Sequence, residues 1–318
     1  MHSPYPQIPP GSGHLAQLGV IRFSGPDAAS FLQGQVSNDT RRLSSGQPLI
    51  AAYSSPQGRV LAVLHLMPHS SGVLGIMPRD ILRPTLERLT KFVLRAKVKI
   101  EDSSEQFTVH GVHGVEAIAG LQLPVPDDAR RYLERDGIGI ARVTPNSNRY
   151  WVIGEAVDLE KHGIGFDIAD SARAAMRERV ENDWRLADIR AGLPQVYAAT
   201  CEIFVAQMLN LDLIDGISFT KGCYTGQEII ARTQHLGRIK RRLFRLRLPA
   251  GAWSVGQALR LTDGRSGRLA ELASADDAVE ALAVRSIDAK DTLDADSSAS
   301  LLTEAVELAL PYSLLNAA

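Results

Sequence analysis

Residues 218 to 228 read SFTKGCYTGQE and hold one of only two cysteines in a chain of 318 residues. Thr225 and Glu228 stand in the T-x-x-E spacing of a capping box, ahead of Ile229, Ile230 and Ala231, with Gly237 placed to end a helix. Cys223 is then expected immediately outside a helix N-terminus. Free backbone N–H groups and the helix dipole favour a thiolate there, and Lys221 adds a positive charge, so ionisation below the usual thiol value of about 8.5 is expected. Gly222 and Gly226 let the backbone turn and leave the sulfur accessible. This is the setting of a reactive or ligating thiol. A lone cysteine is also often just a small buried hydrophobe, so the local features leave both roles open. Cys201, in the apolar stretch AATCEIFVAQML, reads as helical core.

Other reactive types are less persuasively spaced. Pro68 between His65 and His69 spoils a helical metal pair, and His110 and His113 face opposite sides of a strand, so no metal site is expected. His235 would project from the far end of the Cys223 helix, which argues against a Cys–His hydrolase. GSGHLA, at 11 to 16, follows a proline-rich coil rather than a strand and is rejected as a dinucleotide loop. Arg232, Arg238, Lys240, Arg241, Arg242, Arg245 and Arg247 form the densest cationic run. It reads as a solvated strand face or as a local anion site suited to a polyanion such as RNA phosphate.

Composition bounds what can position these groups. With 45% hydrophobic and 22% charged residues the chain is of ordinary globular type, too long for a single core. A formal net charge of -1 supplies no global pull toward nucleic acid or membrane. Two cysteines do not make a disulfide framework, and with neither a signal-like start nor a spanning apolar run the expected location is the cytoplasm.

The first third mixes strand and helix. LAQLGVIRFSG reads as a strand, residues 27 to 35 as a short helix, and PLIAAYSS and GRVLAVLHLM as a hairpin around Ser55-Pro56-Gln57-Gly58. GVLGIM follows, then a helix from Asp80, its cap, to Leu94. A second round comprises QFTVHGV, a short helix from Val115 to Leu121, GIGIARV, RYWVIG and a helix over residues 171 to 182. From Arg241 short alternating runs with Gly/Asp turns predict an all-β end. The expected class is α+β, with lobes at 1–105 and 106–240 and a C-terminal β-barrel at 241–318.

KGCYTGQE, at 221 to 228, resembles the signature of the YgfZ family, folate-binding proteins related in fold to the aminomethyltransferase (T-protein) of the glycine cleavage system. FLQGQVSND at 31 to 39, QMLNLD at 207 to 212, GISF at 216 to 219, LGRIKRRL at 236 to 243 and the terminal LPYSLL match as well, so the resemblance spans almost the whole chain. It implies lobes and barrel arranged around a central channel that binds tetrahydrofolate. It also implies a role in assembling or maintaining iron–sulfur clusters in client enzymes, including enzymes that modify tRNA, with Cys223 as the functional thiol and Lys221 beside it. Direct membrane or tRNA binding is not expected. Trp184, Arg190, Tyr224 and Gln227 are the positions that the resemblance assigns to folate.

Departures from the transferase pattern matter equally. Transferases carry Lys-x-Asp-Phe-x-Gly-x-Glu, so a thiol here replaces a carboxylate. Their paired aspartates correspond to GRVLAVL at 58 to 64, which has none. An accessory factor is therefore expected. The alternatives are a folate-dependent one-carbon transferase using Cys223 in place of the acid, and a scaffold with a vestigial pocket. Trp184 is expected to stack on a pterin or aminobenzoyl ring, or else to fill the core. Arg190 replaces a family carboxylate and is expected to grip a folate carboxylate instead, and Leu18 stands where the family has a second aromatic.

Overall fold

The computed structural model describes residues 12–128, 130–145, 147–164, 170–235, 239–287 and 302–314. Gly11, Leu236, Gly237, Arg238 and Leu315, which enter the motifs above, lie outside the described residues. The described chain is mixed α and β and packs into two compact units, each assembled from separated stretches.

The first unit takes in Met1–Gln33, Thr40–Ile50 and Leu64–Trp184. One sheet runs in the order Leu49–Ser54, Val60–His69, Gly72–Pro78, Leu18–Ser24, Lys99–Asp102, its first two strands continuing into the second unit. Residues 60 to 67 are all buried, which is why this strand is apolar throughout except for His65 rather than alternating. The other sheet runs Gly13–His14, Phe107–His113, Arg149–Glu155, Ile138–Arg142, Tyr132–Arg135. One of its cores joins Val109, Trp151 and Ile153 to Val180 and Trp184, and another joins Val112, Tyr150 and Val152 to Ile118 and Leu159.

Two helices depart from expectation. The expected helix from Asp80 to Leu94 is Leu82–Thr90, preceded by a 3₁₀ turn over Arg79–Ile81, and Ile81 rather than Asp80 is its cap. Leu82, Thr85 and Leu89 complete its buried stripe, and the chain then turns toward the edge strand at Lys99, leaving Phe92 and Leu94 in solvent. The helix expected over 171–182 instead runs Asp170–Ala191, because Val180 and Trp184 continue its buried face one turn at a time. Gly111 leaves room for that packing. A Cβ there would lie 2.3 Å from Trp184 Cε3. Gly111→Ala should therefore destabilise the protein by about 1–3 kcal/mol through overpacking, measured by urea denaturation; an unchanged midpoint would show that the indole is free to move aside.

The second unit comprises Gly34–Asp39, Ala51–Val63 and Arg185–Ala318. Its C-terminal sheet runs Leu302–Thr303, Ala258–Leu261, Ser266–Ala275, Ala278–Ser286, Arg241–Pro249, Val306–Leu308. The two edges are consecutive in sequence, so the sheet curls, but among the described residues no ladder joins them: the expected barrel is a half-barrel. The strand ladders shift register between Leu269 and Glu271, a bulge that accompanies the inward placement of Glu271. Within the cationic run, Arg242 pairs with Asp212, Arg245 with Glu280 and Arg247 with Asp277, so these three charges are matched within the fold.

Candidate functional site

In the second unit, residues 34 to 39 lie against residues 215 to 225, two segments far apart in sequence. Ser37 Oγ donates to Gly216 O at 2.6 Å and accepts from Ala52 N at 2.8 Å. Asn38 Nδ2 donates to Asp215 O at 2.6 Å, Ser218 N to Ser37 O at 3.0 Å, and Thr225 N to Gly34 O at 3.2 Å. Lys221 closes the arrangement: only 5% exposed, it donates from Nζ to Val36 O at 2.7 Å and Asn38 O at 2.8 Å. Its ammonium also stands 4.8 Å from the centre of the Tyr224 ring. Lys221 is thus a buried anchor for the turn, as a cation needs when it is desolvated.

Between the buried Lys221 and Tyr224 the chain turns outward. Gly222 and Cys223 are exposed, and a Cβ at Gly222 would meet nothing within 4 Å. Cys223 is a free thiol. The helix that follows starts at Gln227, so Cys223 is separated from it by three residues instead of adjoining its N-terminus. The reciprocal contact at the helix start comes from Gln227, whose Oε1 accepts the Tyr224 N–H at 3.2 Å, and not from a Thr225–Glu228 box. Gly226, at φ +81, bridges turn and helix; a Cβ there would lie 2.6 Å from Ser55 O and 3.1 Å from Ser54 Cβ. Burial raises the Tyr224 phenol to about 12, so it stays protonated.

The remaining expected positions fall elsewhere. Trp184 is 1% exposed in the core of the first unit, with the Arg149 guanidinium 4.7 Å from its ring centre and His113 edge-on at 5.4 Å. Its ring is a packing element, and Trp184→Ala reports first on that core. Arg190 donates to Glu280 from both Nε and Nη2, and Arg245 shares the same carboxylate, because a buried Glu280 must be paired. The Arg190 side chain stays about half exposed beyond this pair. Cys201 lies in a turn after a 3₁₀ segment rather than a helix, half-buried, its Sγ 3.6 Å from Leu61 O. His65 and His110 are buried and held neutral, lowered to about 3, His65 by burial and the nearby Arg149, His110 by burial and the nearby His14. No group of metal-ligating side chains occurs among the described residues, and no helix there is long and apolar enough to cross a membrane.

Ser54 reads as the end of a strand and Ser55 as the start of a turn. They are 2% and 3% exposed, and each hydroxyl is buried without a hydrogen-bond partner, beside Gly226 and hence beside the Cys223 turn. Leaving such groups unpaired is costly, and their retention calls for a reason. Two neighbouring serines ahead of a Pro-x-Gly turn carry no signal that they will be buried. The QVSND segment, by contrast, was visible as a motif, and its purpose is the brace just described.

No family model matches the chain. The tRNA-modifying protein YgfZ of Colwellia psychrerythraea is 33% identical over 233 residues, covering 72% of this chain and 69% of that protein. The same-named protein of Serratia proteamaculans is 29% identical over 328 residues, covering 97% and 96%. Among solved structures, the glycine cleavage system aminomethyltransferase T of Bartonella henselae superposes with a TM-score of 0.61 at 14% identity, over 87% of this chain and 78% of that one, a likeness of fold. Sequence relatives at this level of identity and coverage place the chain in the YgfZ family of tRNA-modifying proteins.

Proposed function

We propose that this chain is a folate-binding accessory protein of the cytoplasm that supports assembly or maintenance of iron–sulfur clusters in client enzymes, among them enzymes that modify tRNA. The observation that carries the reading is the exposed Cys223 thiol on a turn whose flanking residues, Lys221 and Tyr224, are buried and tied down. A thiol fixed in this way meets a partner without the entropy loss of ordering a loop. A soft sulfur ligand suits iron–sulfur chemistry. The segment Val60–Leu64 is buried and wholly apolar, so the proton handling of an aminomethyl transfer has no carboxylate on that strand.

The unpaired Ser54 and Ser55 hydroxyls fit a polar heterocycle such as the pterin of tetrahydrofolate. They are the residues that would hold it, with Tyr224 and Gln227 shaping the turn alongside. When bound, tetrahydrofolate supplies a reduced pterin able to carry one-carbon units. The chain's own groups bind and orient, and the buried Tyr224 phenol remains a proton donor.

Anaerobic titration with tetrahydrofolate, alone and with an iron–sulfur client, tests the reading. Saturable binding is expected. Ser54→Ala and Ser55→Ala should each weaken it about two- to ten-fold, the worth of one hydrogen bond, without lowering the melting temperature, since neither hydroxyl has a partner in the free protein. Absence of binding by the wild type removes folate from the function. Unchanged affinity in both variants moves the ligand away from the serines.

A further inference from the structure

Ion pairing decides which cations of this chain are free for a partner. In the run from Arg242 to Arg247 they are matched by Asp212, Glu280 and Asp277. The stretch from Arg88 to Ile100 is different: it holds Arg88, Lys91, Arg95, Lys97 and Lys99 and no acidic residue, in a protein of formal net charge -1. Lys99 pairs with Glu101 at 2.7 Å. The side chains of Lys91, Arg95 and Lys97 are exposed and have no carboxylate partner among the described residues. Interleaved with them stand Phe92, 47% exposed, and Leu94, which at 85% is the most exposed of the large hydrophobic residues described.

We propose that the segment Lys91–Lys97 is a docking surface for a protein partner, a client enzyme whose surface offers an apolar pocket rimmed by Asp and Glu. The proposal rests on the accessory reading above and adds the surface through which a client is held. Charge complementarity calls for carboxylates opposite three unmatched cations. An apolar side chain as exposed as Leu94, next but one to Phe92, calls for an apolar counter-surface, which a nucleic-acid backbone does not provide. A bilayer would accept both, but two side chains on a turn fall short of the continuous apolar face of an interfacial helix. Lysines on an edge strand also deter strand pairing. That accounts for Lys99, on the strand Lys99–Asp102; it leaves Lys91, Phe92, Leu94, Arg95 and Lys97, which precede the strand, without a purpose.

The full-length protein and a purified iron–sulfur enzyme that modifies tRNA are the probes, with association and dissociation rates measured at low and high salt. The triple variant Lys91→Glu/Arg95→Glu/Lys97→Glu should slow association about ten-fold and flatten its salt dependence. Phe92→Ser/Leu94→Ser should speed dissociation about ten-fold, as loss of apolar anchors does. The three cations and Leu94 are exposed, so the triple variant and Leu94→Ser alone should keep the wild-type melting temperature and alkylation rate of Cys223, and Leu94→Ser should still speed dissociation. Unchanged kinetics in both variants, or no wild-type binding to the enzyme, overturns the proposal. It is equally overturned if the triple variant loses binding to a tRNA transcript or to phosphatidylglycerol vesicles while keeping the enzyme. In cells, a triple variant that fully supports clients where Cys223→Ser does not would defeat the docking surface and leave the thiol reading intact.

Discussion

Cys223→Ser is expected to abolish support of iron–sulfur client enzymes in cells while leaving melting temperature and tetrahydrofolate binding unchanged. The side chain is exposed and touches no core, so serine keeps the size and polarity of the site and removes only thiolate chemistry and soft-metal ligation. In the folded protein iodoacetamide should modify Cys223 before Cys201, whose sulfur is half-buried against Leu61 O at 3.6 Å. Lys221→Ala removes more than a charge in the Cys223 motif. It leaves the carbonyls of Val36 and Asn38 without their ammonium donor and frees the turn, so it should lower stability by about 1–3 kcal/mol. Full client activity with Cys223→Ser would make the thiol dispensable, and the motif would then be a folding device alone.

Glu271→Gln is expected to remove a pH-dependent loss of stability between about pH 5 and 8. Burial raises the Glu271 carboxyl to about 8, against the neighbouring Arg185, which lowers it. The groups facing it are Arg185, with Nε 3.3 Å from Oε1, the Tyr197 hydroxyl, which donates to the same oxygen, and Asp188; Oε2 is buried without a partner. Its pKa is above that of the unfolded chain, so over this window the folded state holds a proton that the unfolded state has lost. Stability therefore falls as pH rises, by up to about 1.4 kcal/mol per pH unit, and levels off above 8. Buried His65 and His110 act oppositely: their lowered values contribute stability that is lost as pH falls below about 6.5 toward 3. The difference between wild type and variant isolates the carboxyl. Parallel pH profiles for the two proteins would mean that Glu271 ionises in the fold near its ordinary value.

The class and the longer strands are legible in the sequence, because strands such as Leu18–Ser24 and Val60–His69 announce themselves by apolar runs between turn residues, whereas the short strands Lys99–Asp102 and Tyr132–Arg135 carry no such run. It also singled out the motif around Cys223 and the QVSND segment, since rare residue types at fixed spacing survive without tertiary knowledge. What it did not reveal was the purpose of each residue. Lys221 looked like a charge beside a thiol and is a buried brace, because the carbonyls that bind it come from Val36 and Asn38, and chain distance hides such partners. Trp184 could be read as a stacking platform or as core filling, and the fold buries it, because the absence of a side chain at Gly111 opens the slot it fills. The sequence carries no sign that Arg190, Arg242, Arg245 and Arg247 are paired within the fold, nor that Lys91, Arg95 and Lys97 are exposed. Local pattern sets which element forms, since periodicity and turn chemistry act over a few residues. Whether a side chain is an anchor, a filler or a free contact depends on groups that only the folded chain brings to it.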